Sequence, residues 1–136
     1  MRLSGFYTTL EEVVVVLKDA SEERSLPIWV GLHDALCIFA GMKDIEPPIP
    51  GPLTHDLMTS LLQRLGVRVE RVEICDLREN VYFSLIHLRN KNEVILMDAR
   101  PSDAIALAVR TNAPIFVDED LLVKCEPADP SGSVFD

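Results

Sequence analysis

Five consecutive apolar residues, Val13-Val14-Val15-Val16-Leu17, constrain this chain more than any other feature. Four of them are β-branched, and such side chains are stiff and pack well in strands. An alternating strand keeps one face wet. A continuous run fills both, so residues 13–17 read as a strand buried on both faces. The cover must come from within one domain, because 136 residues are too few for two of typical size.

The rest of the chain reads as hairpins and helices. Residues 3–7 are a short opening strand, and 19–23 are a polar turn. Residues 26–30 return as a strand in which Pro27, lacking an N–H, belongs at an edge or at the start. Gly31 breaks that strand. Residues 32–42 are apolar almost all round, as expected of a well-buried helix. Four prolines within 47–52 make residues 46–52 a stiff, extended connector. Thr54 is placed to cap a helix whose stripe is Leu57, Met58, Leu61, Leu62 and Leu65, closed by Gly66. In residues 67–77 the apolar phase shifts from odd to even positions, which predicts a bulge near Glu70-Arg71. Glu79-Asn80 suits a hairpin turn, and residues 81–88 and 93–97 are strands around a second turn at 89–92. Pro101-Ser102-Asp103 opens a helix over 104–110, Asn112-Ala113-Pro114 ends it, and 115–117 is a last short strand.

The two halves resemble each other. Each has a strand, a charged turn, a strand, an Asp-Ala pair (Asp34-Ala35, then Asp103-Ala104) and an apolar helix. A duplicated ββα unit explains this, and so does chance likeness of two ordinary hairpin–helix units. Either way the pattern predicts an α+β fold with two layers, helices packed on a mixed β-sheet. The domain is expected to span 1–117, with 118–136 an acidic tail.

Charge narrows the function. Thirteen Lys and Arg face 22 Asp and Glu, a net charge of −9, which does not describe an electrostatically driven nucleic-acid binder. Six of the acids lie in 118–136, beside one Lys. Between Arg64 and Arg110 eight basic residues, seven of them Arg, face seven acids, and Arg–Glu pairing on strand faces is the plain reading. Cys37, Cys75 and Cys125 form no CxxC pair, so neither a disulfide framework nor a Cys-rich zinc site is expected. The start lacks an apolar signal core, and no apolar run approaches the roughly 18 residues of a membrane span. A cytoplasmic, membrane-free protein is the expectation. The connector and the apolar helix 32–42 offer more hydrophobic surface than a small two-layer domain covers, which predicts a homo-oligomer.

Two segments carry residues suited to chemistry. Asp98-Ala99-Arg100-Pro101-Ser102-Asp103 packs two carboxylates, a guanidinium and a hydroxyl into a strand-to-helix junction. Pro, Ser and Asp there also make an ordinary helix start, and Asp103 can simply pair with Arg100. The alternative is a site: a helix N-terminus with Arg100 holds a phosphate, and Asp98 and Asp103 hold a divalent ion. In Thr54-His55-Asp56, His55 is a candidate general base or metal ligand. Adjacent helical residues point about 100° apart, so His55 and Asp56 need not face one site. A capped helix start is the competing reading.

Three blocks in this order, Leu26-Pro27-Ile28-Trp29-Val30-Gly31, Pro52-Leu53-Thr54-His55-Asp56-Leu57 and Asp98-Ala99-Arg100-Pro101-Ser102-Asp103-Ala104-Ile105-Ala106-Leu107-Ala108, resemble the bifunctional nuclease domain family. The likeness covers roughly residues 3–117. It implies a compact α+β domain, often self-associating, with some plant members linked to non-specific cleavage of RNA and DNA. Two positions depart from the family pattern. Gly51 stands where members often carry Arg, which removes a basic phosphate contact, and Asp34 stands where Glu is more usual, which shortens its reach.

Two functions follow. The first is a nuclease, a hydrolase cutting phosphodiester bonds with a divalent ion, Mg²⁺ or Mn²⁺, on Asp98 and Asp103. Arg100 would then contact phosphate, and His55 and Asp56 would act as base or ligand. The second is a non-enzymatic, oligomeric binding or regulatory module. Convergence of His55, Asp56, Asp98 and Asp103 on an open cleft favours the nuclease; their burial as mutually bonded helix caps favours the module.

Overall fold

The computed structural model describes residues 1–8, 12–42 and 52–124. Strands β1 (Arg2–Thr8), β2 (Glu12–Lys18) and β3 (Arg24–Gly31) form an antiparallel meander, followed at once by helix α1 (Leu32–Gly41). After α2 (Thr54–Arg64), strands β4 (Val67–Arg78), β5 (Val81–Asn90) and β6 (Glu93–Ala99) form a second meander, followed by α3 (Pro101–Thr111). Strand β7 (Ile115–Val117) then pairs with β4 in parallel. A 3₁₀ turn at Glu119–Leu121 leads to β8 (Val123–Lys124), which closes onto Arg24 and Ser25 of β3. The fold is α+β, with two four-stranded sheets ordered β1-β2-β3-β8 and β6-β5-β4-β7. The strands divide into two sheets because each half builds its own meander. The repeated unit gains a strand over the sequence reading and becomes βββα.

The valine run behaves as its composition demands. Val13 through Leu17 are all under 5% exposed. Val13, Val15 and Leu17 join the main core with Leu26, Ile28 and Val30 of β3. Pro27 lies where β3 has passed its pairing with β8, so its missing N–H breaks no bond on that side. The expected bulge falls at Glu70, between the pairs Val69–Leu88 and Arg71–His87, and a second falls at Cys75. Glu79 and Asn80 both have positive φ, as a tight two-residue hairpin turn requires. Arg89–Glu70, Arg71–Glu73 and Arg78–Asp76 pair along β4 and β5, as the charge balance predicted.

Three local expectations are corrected. Burial on all sides belongs to α3, where Ala104 through Ala108 are all buried; α1 buries only Ala35, Cys37 and Ile38 and leaves Leu32 half exposed. Alanines let α3 sit tightly against α1, α2 and the β4–β5 strands, a central place that hydrophobicity alone does not mark. The α2 stripe splits: Met58 and Leu62 reach the core, while Leu57, Leu61 and Leu65 are more than half exposed. Thr54 is the first helical residue rather than the cap, and the Asp56 carboxylate accepts the Leu53 N–H at 2.8 Å. Gly66 does end α2, in the left-handed region at φ 73°. The proline connector lies outside the described residues except for Pro52, and so does the tail beyond Lys124. Leu121 and Leu122 pack against the core. No helix among the described residues is long and apolar enough to cross a membrane.

Candidate functional site

The two βββα units place two helix N-termini together. Asp34 is the third residue of α1 and Asp103 the third of α3, so the two carboxylates hold equivalent positions in the repeats. First-turn carboxylates suit the positive end of a helix. The α1 unit runs directly from strand to helix; the α3 unit has one residue between them, and that residue is Arg100. Its guanidinium spans both carboxylates. Arg100 Nε donates to Asp103 Oδ2 at 3.0 Å, and Nη2 donates to Asp103 Oδ1 at 3.2 Å. Nη1 and Nη2 each reach Asp34 at 3.3 Å. The guanidinium makes four such contacts to the two carboxylates, more than the three N–H groups of a Lys ammonium could supply.

Helix α2 supplies the third element. His55 Nε2 lies 2.9 Å from Asp103 Oδ1, and the imidazole is buried, with its side chain 8% exposed. With Asp103 ionised, Nε2 carries the proton and donates, which leaves the Nδ1 lone pair free. Nδ1 is buried and has no hydrogen-bond partner among the described residues. Burial pushes the Asp103 carboxyl up, but hydrogen bonds from Arg100 and His55 outweigh it and hold the group below the usual carboxylate value. Hydrogen bonding to Asp103 raises Arg100 in turn.

These groups line an open cleft of about 340 Å³ between α1, α2 and the β6–α3 junction. Asp98 is exposed on its rim. On the α1 wall, the Cys37 thiol lies 3.8 Å from His33 Nε2, and burial pushes that thiol up, which keeps it protonated and poorly nucleophilic. A larger cavity of about 680 Å³ lies between α2, the start of β4 and the end of α3. Its one carboxylate, Glu70, is bonded to Arg89, whereas the smaller cleft gathers His55, Asp34, Asp98, Arg100 and Asp103.

Of the residues singled out in the sequence, His55, Asp98, Arg100 and Asp103 meet in the cleft. Asp56 does not. Its carboxylate accepts from Arg110 Nε at 2.8 Å and from the Leu53 N–H, tying α2 to α3 on the side away from the cleft. Burial raises Asp56, and those two hydrogen bonds more than offset it, leaving the group lowered. Asp34 was not singled out as a site residue, although its repeat equivalence to Asp103 was visible in the shared Asp-Ala pair. As for a divalent ion at Asp98 and Asp103, both Asp103 oxygens are already hydrogen-bonded. No group of three His, Cys, Asp or Glu side chains arranged to hold a metal occurs among the described residues. As placed, these residues do not fit a resident ion.

Comparison with known proteins decides the family. The pattern described as "Bifunctional nuclease domain" matches residues 15–128. The chain belongs to the bifunctional nuclease domain family. An uncharacterized protein of Mycobacterium tuberculosis is 41% identical over 112 residues, which is 82% of this chain and 65% of that protein. Bifunctional nuclease 1 of Oryza sativa subsp. indica is 32% identical over 108 residues, 77% of this chain and 32% of its own length. Bifunctional nuclease 2 of Arabidopsis thaliana is 29% identical over 118 residues, 85% of this chain and 35% of its own. The chain thus spans less than two thirds of the mycobacterial relative and about a third of the plant bifunctional nucleases. All three sequence blocks fall within the bifunctional nuclease domain match.

Proposed function

We propose that this chain is a nuclease that hydrolyses phosphodiester bonds of RNA and DNA in the cleft between the α1 and α3 N-termini. One observation carries the reading: His55, Asp34, Arg100 and Asp103 come from three elements and both repeats into one hydrogen-bonded cluster on an open cleft. Family membership gives the direction, since relatives bear the name bifunctional nuclease.

The roles follow from placement. Asp103 orients the His55 ring through Nε2, which leaves Nδ1, buried while the cleft is empty, as the atom that would exchange a proton with a seated substrate. The Arg100 side chain is 64% exposed. Exchanging Asp34 for a phosphate lets its fork keep Asp103 while neutralising charge that develops on the phosphoryl oxygens. A second reading, a non-enzymatic oligomeric module, is favoured by the acid excess of the cleft, where Asp34, Asp98 and Asp103 face Arg100.

The test is cleavage of RNA, single-stranded DNA and duplex DNA by the pure protein, with Mg²⁺ or Mn²⁺ and with chelator. Asp103→Asn, purified identically, controls for contaminating nuclease. Asp103→Asn should fold and lose about a hundredfold or more of the cleavage rate, the scale of general acid–base catalysis. Arg100→Lys should lower kcat at least as much as it raises KM, because the lost fork serves charge that develops during the reaction. Full cleavage by folded Asp103→Asn removes the nuclease site from this cleft, and no cleavage by the wild type supports the module. Chelation reads metal dependence directly.

A further inference from the structure

A second groove lies beside the cleft, and the two share Asp34 and Arg100. Its volume is about 330 Å³, the size of a small-molecule site. Residues 28–31 of β3 form one side. Val81 and Tyr82, at the tip of the β4–β5 hairpin, and the start of α3 form the other. Trp29 and Val81 are 55 and 56% exposed.

The β3 side is an open strand edge. β8 covers β3 only at Arg24 and Ser25. In an antiparallel pair, alternate residues bond to the neighbouring strand. The Asp19 N–H donates to the Arg24 carbonyl, and Pro27 has no N–H to give. Both facts fix the same phase: Leu26, Ile28 and Val30 bond to β2, while Pro27, Trp29 and Gly31 turn outward. No partner for the Trp29 N–H or C=O occurs among the described residues. Gly31 caps α1, so its carbonyl belongs to the helix. The edge therefore offers one complete donor–acceptor pair, that of Trp29. An added peptide strand would find too little to bond; the edge of a single planar base fits. The groove also leads to the chemistry. A Cβ on Gly31 would stand 3.7 Å from Asp34 Oδ2, so the carboxylate that bonds Arg100 lies only two residues beyond Trp29.

We infer that this groove seats an unpaired nucleobase of the strand whose phosphate lies on Arg100, an inference that rests on the nuclease reading of the cleft. Each base carries a donor beside an acceptor on its pairing edge. These meet the Trp29 C=O and N–H, while the side chains of Trp29, Val81 and Tyr82 close on the ring. The phosphate of the same nucleotide takes the place of Asp34 on Arg100. A pairing edge held by Trp29 cannot hold a complementary strand, so the site takes single strands and rejects duplexes. Trp29 is thus a specificity-determining residue.

Trp29 is the only tryptophan in the chain, so its fluorescence reports the groove. Adenosine 5′-monophosphate is titrated into the full chain in chelator, with ribose 5-phosphate as the control that lacks a base. The mononucleotide should change the emission saturably, at a Kd at least about tenfold below that of ribose 5-phosphate, the scale of one base–aromatic contact. Trp29→Ala, with unchanged far-UV circular dichroism, should raise KM for a single-stranded oligonucleotide about tenfold and leave kcat nearly unchanged. It should also narrow the preference for single strands over duplex. Val81→Ser should act in the same direction. Equal Kd values for the two ligands, or no change in emission, overturn the inference even where cleavage depends on Asp103. Equal cleavage of single strands and duplex by the wild type overturns it too. Failure of the nuclease reading is distinct: it shows as full cleavage by Asp103→Asn, whatever the Trp29 emission does.

Discussion

Replacing Asp56 by Asn should destabilise the fold and leave the chemistry intact. Asp56 is the counter-ion of Arg110, whose side chain is only 4% exposed. The guanidinium also donates to the Ala106 carbonyl at 3.0 Å, and its Nη2 already lacks a partner among the described residues. Asn keeps the size of the side chain but strands the buried cation. Removing one partner of a fully buried pair costs about 3–5 kcal/mol. Asp56 is 38% exposed, so water offsets part of the loss, and about 2–3 kcal/mol is expected. For a domain of this size that lowers Tm by about 6–15 °C. Thermal melts at neutral pH, followed by circular dichroism, measure it. Cleavage well below both melting temperatures should be unchanged, because Asp56 does not line the cleft. Asp56→Asn with Arg110→Met should recover much of the loss, since no charge is then left buried. The pH dependence has a fixed sign. The folded Asp56 carboxyl lies below its unfolded value, so its stabilisation is present above about pH 4 and is lost as pH falls through the folded value. The gap between wild type and variant should close at low pH. A Tm loss under about 2 °C at neutral pH would refute the argument.

Other outcomes follow from the same contacts. A Cβ on Gly41 would lie 2.5 Å from Arg110 Nη1 and 2.8 Å from its Cγ, so Gly41→Ala should cost about 1–3 kcal/mol in denaturant melts despite the better helix propensity of alanine. Gly66→Ala meets no atom within 4 Å and pays only for positive φ, about 1 kcal/mol in the same assay, and Gly66→Asn should cost less. Asp103 is lowered like Asp56, so Asp103→Asn should melt closer to wild type in acid than at neutral pH; a gap that widens in acid would contradict the hydrogen bonding described.

Local patterns were legible in the sequence because they depend on near neighbours in the chain. The valine run, the Glu70 bulge, the Glu79-Asn80 turn and the Gly66 stop each follow from periodicity or from a residue's own backbone freedom. The Asp-Ala repeat and the charged β6–α3 junction were legible too, and they hold most of the cleft.

Tertiary structure decided everything that needed two distant segments to meet. His55 and Asp56 are adjacent in sequence, yet one turns to Asp103 and the other to Arg110, because successive helical residues point about 100° apart and α3 runs past both. Asp34 joined the site only when the two repeats set their helix ends together around Arg100. The alanine-rich α3 became the central helix because small side chains permit close approach from several sides, a property of the assembled layers and not of hydrophobicity. The leucines of α2 divided between core and surface for the same kind of reason. Their spacing makes one stripe, but the width of the surface beneath the helix determines how much of it is covered.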